Sequence, residues 1–188
     1  MQSFKKTAMA NKRMFEIAFV GLKPGNHEFN YELDAEFFKE KTGENVDKIV
    51  ANVKLTLDKN NGFMLLKFMV GGNAEVNCDR CGNPLKVDLW DEFNMVVKLT
   101  EEPQKANDEE EDADVFYIAK SESHIEISDW LYEFVILSIP MQHVCGNDSY
   151  GKSSCNEEVL KKLQDMQAKT EDQQGNSIWR GLDKFKNN

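Results

Sequence analysis

No apolar run in this chain reaches the roughly 18 residues that a membrane span requires. The longest candidate, from Trp130 to Met141, is too short and contains Glu133. The opening stretch MQSFKKTAMANKRMF has positive charge but no unbroken apolar segment of the kind a secretory signal needs. Basic residues are in the minority: 23 Lys and Arg stand against 33 Asp and Glu, a formal net charge of −10. Coating nucleic acid without regard to sequence needs the opposite balance, because Lys and Arg neutralise phosphates. Histidine is scarce, with three in the chain. Neither His27 nor His124 has a nucleophile or carboxylate partner at a spacing that marks a catalyst. Glycine-rich phosphate loops, His-Glu-x-x-His and Gly-x-Ser-x-Gly do not occur, nor do internal repeats. The expectation is a cytoplasmic protein that is not an enzyme.

What is present suits a protein with a real core. The 188 residues are 40% hydrophobic and 10% aromatic, enough for one domain over 1–188. Period-two alternation marks half-buried strands. Phe29, Tyr31 and Leu33 share one face, and Ile49, Ala51, Val53, Leu55 and Leu57 another. Asn61-Gly62 then suits a tight hairpin turn leading into a returning strand over 63–70. The longest pattern runs from Leu85 through Val87, Leu89, Phe93, Met95 and Val97 to Leu99, broken only by Asp91. Further on, VFYIA and HIEI read as short strands. Ser128 is placed to cap a helix whose stripe is Trp130, Leu131, Phe134 and Val135, and Pro140 limits it. EEVLKKLQDMQ predicts a second helix, TEDQQGNS a polar spacer, and 156–188 as a whole a helical tail. The fold class that follows is α+β: an antiparallel meander or small, partly open barrel, a covering helix, a cysteine-bearing loop region and a C-terminal helix.

The four cysteines hold the strongest chemical signal. Cys78-x-x-Cys81-Gly82 has the form of a zinc knuckle, two thiolates on a tight turn with glycine letting backbone N–H groups face sulfur. One pair is half a site, and Cys145 and Cys155 supply the other half, Cys145 again followed by glycine. The nine-residue gap between them is long, but a Gly- and Ser-rich loop closes it, and His143 is a spare ligand. Zn²⁺ on Cys78, Cys81, Cys145 and Cys155 is then structural, because four protein ligands leave no open position. Three other readings stand beside this one. A thioredoxin-like pair should open a helix, whereas Pro84 and a strand pattern follow Cys81. Disulfides fit a reducing compartment poorly. Four unrelated buried thiols need an apolar setting that these polar loops lack.

The segment 101–114, EEPQKANDEEEDAD, has eight acidic residues and one lysine. Its composition predicts a flexible loop, either a solvated linker or a surface for a basic protein.

The order of these parts resembles the bacterial YceD family, the large ribosomal RNA subunit accumulation proteins. CDRCGNPL, the helix running into Ile139-Pro140-Met141, and the tail with Trp179, Leu182 and Phe185 carry the resemblance, which extends from about Phe15 to Phe185. The chain departs from shorter members in having the second pair, Cys145 and Cys155. The resemblance implies a role in accumulation or processing of large-subunit ribosomal RNA, with a ribosomal RNA precursor or a basic ribosomal protein as partner. The alternative from another class is a thiol-based redox or metal sensor that changes partner when its cysteines oxidise.

Overall fold

The computed structural model describes residues 13–42, 48–146 and 153–174. The chain divides into two compact units, Met1–Glu75 with Lys86–Pro140, and Val76–Leu85 with Met141–Asn188. Among the described residues, no helix is long and apolar enough to cross a membrane.

The first unit is built on an open five-stranded sheet. Its strands are β2 (Gly25–Leu33), β3 (Ile49–Lys59), β4 (Phe63–Asn77), β5 (Pro84–Thr100) and β6 (Val115–Ala119), side by side in that order. The alternating pattern sets the faces as expected: Ile49, Ala51, Val53, Leu55 and Leu57 of β3 are all buried, and Met64, Leu66, Phe68 and Val70 of β4 join them. β2 and β4 flank β3 in antiparallel ladders that pair Tyr31 with Val53 and Val53 with Val70. Where β3 meets the far end of β4, the backbones approach closely at Gly72. Its φ is +142°, and a Cβ there would sit 2.2 Å from the Val50 carbonyl oxygen, so only glycine fits. A two-residue ladder joins β1 (Glu16–Ile17) to β7 (Ile125–Glu126).

The helices are α1 (Ala35–Thr42), α2 (Pro103–Glu109), α3 (Ser128–Leu137) and, in the second unit, α4 (Glu157–Gln174). Asp34 starts α1 by accepting hydrogen bonds from the Glu36 and Phe37 N–H groups at 3.0 and 3.2 Å. α3 covers the sheet as its stripe demands, with Leu131, Phe134 and Val135 buried. The Phe134 ring stacks on Phe93 at 4.4 Å and meets Phe68 edge-on at 5.0 Å.

Four local expectations change. β6 runs parallel to β5, with Val96 opposite Val115 and Thr100 opposite Ala119, so the sheet is mainly rather than wholly antiparallel. A parallel neighbour needs a crossover, and the segment 101–114 supplies it. Within that segment, read from composition as a loop, Pro103–Glu109 forms α2. Its Asn107 side chain accepts from the Tyr117 N–H at 2.8 Å and donates to the Tyr117 carbonyl at 2.9 Å, fixing the turn to β6. Ser128 lies inside α3 and does not cap it: its N–H donates to Glu126 Oε1 at 2.7 Å and its hydroxyl accepts from Lys41 at 2.6 Å. α4 continues through Gln174, into the stretch read as a spacer, because Lys, Glu and Gln are good helix formers. The tail residues Trp179, Leu182 and Phe185 lie outside the described residues.

Candidate metal centre

Every part of this centre lies in the second unit. Residues 78–83 form a tight turn closed at both ends: the Cys78 N–H donates to the Asn83 carbonyl and the Gly82 N–H to the Cys78 carbonyl, each at 2.8 Å. Gly82 has φ +75°, the left-handed conformation that this turn requires and that glycine adopts without strain. The turn leaves Cys78 and Cys81 on one side, both buried.

The second pair is brought in by backbone contacts. The Asp79 N–H donates to the His143 carbonyl at 2.7 Å, and the His143 N–H returns a bond to Asp79 Oδ2 at 2.6 Å. This two-point strap sets Cys145, two residues on, beside the first turn. The ends of the long gap are drawn together where the Ser154 N–H reaches the Gly146 carbonyl at 3.0 Å. Cys155 then precedes Asn156, whose side chain accepts from the Glu158 and Val159 N–H groups and so starts α4.

All four predicted cysteines meet. Their sulfurs lie within 4.8 Å of one another, with Cys78 to Cys155 at 3.9 Å and Cys81 to Cys145 at 3.8 Å. All four are free thiols. Corners of a tetrahedron with zinc–sulfur bonds of about 2.3 Å are about 3.8 Å apart, so the two pairs already have the spacing a shared ion would impose. The reading of four unrelated thiols fails on this convergence. Cys78, Cys81 and Cys155 are buried mainly against one another, with Cys145, Val159 and Leu160 around them.

Electrostatics prepare the sulfurs for a cation. The Cys145 N–H donates to Cys78 Sγ at 3.4 Å. That bond, with further N–H groups from Cys81 and Arg80, lowers the Cys78 thiol to about 6 despite its burial. The Asn156 and Asn83 N–H groups likewise lower Cys81. Cys145 goes the other way and is pushed up to about 12, first by the neighbouring Cys78 sulfur and then by burial. Crowded anionic sulfurs raise one another, and a divalent cation between them relieves that repulsion. A four-thiolate donor set with backbone N–H groups aimed at sulfur therefore fits a soft or borderline metal.

Two features escaped the sequence. His143 does not join the four donors: its Nδ1 lies 3.5 Å from Asp79 Oδ1, so it serves the strap between the two halves. Asp79, inside the Cys-x-x-Cys turn, left no signal, since its role depends on a residue far along the chain. Asn156 was not singled out either, although Asn followed by two glutamates ahead of apolar residues is a helix-start pattern that the sequence carries.

Neither curated proteins nor solved structures give a match to this chain. The family model described as large ribosomal RNA subunit accumulation protein YceD matches residues 66–186, from β4 through all four cysteines and beyond the end of α4. That span exceeds half of the sequence, and the chain belongs to the YceD family.

Proposed function

We propose that the protein is a non-enzymatic factor in large-subunit ribosome biogenesis. It supports the accumulation or processing of large-subunit ribosomal RNA in the cytoplasm, and it holds a structural Zn²⁺ on Cys78, Cys81, Cys145 and Cys155. The family match over residues 66–186 is the observation that carries the biological part. The convergence of four sulfurs within 4.8 Å supports the metal. Zinc is preferred because thiolates favour it and its structural role needs no redox chemistry, and four protein ligands leave no position for a reacting water. The partner is a ribosomal RNA precursor or a basic ribosomal protein.

Depletion of the protein in cells tests this reading. The ratio of large- to small-subunit ribosomal RNA should fall and be restored by the wild-type chain. An unchanged ratio with normal ribosome profiles removes the proposal. Metal analysis of natively purified protein should give one zinc per chain.

A second reading, a thiol-based sensor, is favoured by one observation: the pairs Cys78/Cys155 and Cys81/Cys145 stand at 3.9 and 3.8 Å, a small movement from disulfide contact. A sensor loses its metal reversibly under mild oxidant and changes partner. A structural centre does neither.

A further inference from the structure

The sheet has two faces, and α3 packs on only one. Along β5 the odd-numbered Leu89, Met95 and Val97 are buried, which turns the even-numbered residues to the opposite side; there Trp90 is 81% exposed. Along β4, Leu65 and Met69 alternate with buried Leu66, Phe68 and Val70 and are 42% and 43% exposed. Lys67 of β4 pairs with Glu92 of β5 at 2.7 Å. Met69, two residues on along β4, and Trp90, two residues back along β5, lie on the same side of that pair. Tryptophan and methionine are enriched at the cores of protein interfaces, and an uncovered tryptophan on a sheet is uncommon for a side chain so large.

Charge decides what fits there. Three lysines of this face already have carboxylate partners: Lys54 is 2.8 Å from Glu28, Lys67 is matched by Glu92, and Lys98 is 4.0 Å from Glu110. Lys86, exposed on the same side of β5, has no such pair among the described residues and is outnumbered by Glu32 and Asp58 on the same side of β2 and β3. Asp88, two residues before Trp90, adds negative charge. The acidic segment 101–114 borders the same face, because Lys98 and Tyr117 are register partners and the Tyr117 hydroxyl donates to Glu110 at 2.9 Å. Single-stranded RNA stacks on exposed aromatics, but it also needs cations free to meet its phosphates, and this face has a surplus of acid.

We propose that this face binds a basic polypeptide segment, with Trp90 and Met69 as apolar anchors and the segment 101–114 as the electrostatic complement. The identification of that segment with a ribosomal protein rests on the biogenesis reading above; the surface chemistry does not.

The test uses the full chain and three probes: a synthetic Lys/Arg-rich peptide with leucines at alternate positions, the same peptide with serines for leucines, and single-stranded oligouridine. The leucine peptide should bind with a blue shift of tryptophan emission, and the serine peptide more weakly. Trp90→Ala should weaken binding of the leucine peptide by about tenfold or more, and Met69→Ser in the same direction. Replacing Glu109, Glu111 and Asp112 by Gln or Asn should weaken it and flatten its salt dependence. All five positions lie at the surface, and thermal unfolding verifies that the variants fold. Failure of the leucine peptide to bind overturns the proposal, as does binding indifferent to Trp90→Ala. So does tighter, Trp90-dependent binding of oligouridine, or Trp90-dependent self-association that the peptide cannot compete with. Peptide binding with normal ribosomal RNA in depleted cells removes the biogenesis reading alone; impaired ribosomal RNA without peptide binding removes this surface alone.

Discussion

The two units of this chain are held together by different chemistry. In the first, Phe38, Phe68, Leu55, Leu57, Leu131 and Val135 are fully buried, and hydrocarbon removed from water supplies the driving force. In the second, among the described residues, the buried residues of the core are three cysteines, with Val159 and Leu160 of α4 as apolar neighbours beside Cys145. Small folding units bury too little surface to stand on hydrophobic contacts alone, and a disulfide or metal makes up the difference. The contrast teaches that, among the described residues of the second unit, clustered sulfur stands where the first unit has hydrocarbon, and the metal proposed above would supply what those few contacts lack.

Removing the proposed cation should distinguish the units most sharply. A strong chelator, or Cys81→Ser, should release α4 from protection in amide hydrogen exchange while β3 keeps its protection; structural zinc binding contributes on the order of 10 kcal/mol to folding of the part it holds. Simultaneous loss in β3 would break the comparison. The reciprocal change is Phe134→Ala, which removes the ring stacked on Phe93 and touching Phe68. It should cost the first unit about 3 to 5 kcal/mol in urea unfolding, with the metal content unaltered.

The effect of pH sharpens the chemistry of the second unit. Cys145, pushed up to about 12, keeps its proton through neutrality until a metal displaces it, whereas Cys78, lowered to about 6, is already a thiolate at pH 7. Metal uptake therefore releases protons, and apparent affinity should rise with pH. Each proton released corresponds to about 1.4 kcal/mol per pH unit, and below pH 6 the slope should steepen as Cys78 protonates. A chelator-competition titration between pH 5.5 and 8 measures this; affinity independent of pH would contradict it. The smallest effect is expected from Asn156→Ala, which removes the side chain that starts α4. It should cost about 1 kcal/mol, read as faster exchange in the first turn of α4 alone.

Much of the first unit was legible because alternation is a local signal. The faces of β2, β3, β4 and β5 and the stripe of α3 follow from residue order: β3 and the first half of β4 fully bury the side chains that their period selects, and β2, β5 and α3 bury theirs fully or in part. The direction of β6 was not legible, since the crossover runs through a segment whose charge reads as loop while Asn107 fixes it by contacts to Tyr117. Aromatic residues of strands are usually core, and Trp90 departs from this furthest, more exposed than Phe63 or Phe116; its position between Asp88 and Glu92 on the polar side of the alternation held the clue. The cysteines were legible as types and spacings. The strap between Asp79 and His143 was not, because 64 residues of sequence separate its two ends.

That same separation governs the order in which the protein is made. The Cys78–Cys155 approach closes a span of 77 residues, and Cys155 follows every strand of the sheet in the chain. During synthesis the first knuckle emerges early, with two sulfurs and no partners, while the neighbouring strands are still being added. Until Cys155 is translated, an incoming ion meets an incomplete shell that other ligands share with it. Full coordination of the proposed ion would thus be a late event in the life of each nascent chain, reached only after translation has passed the last cysteine.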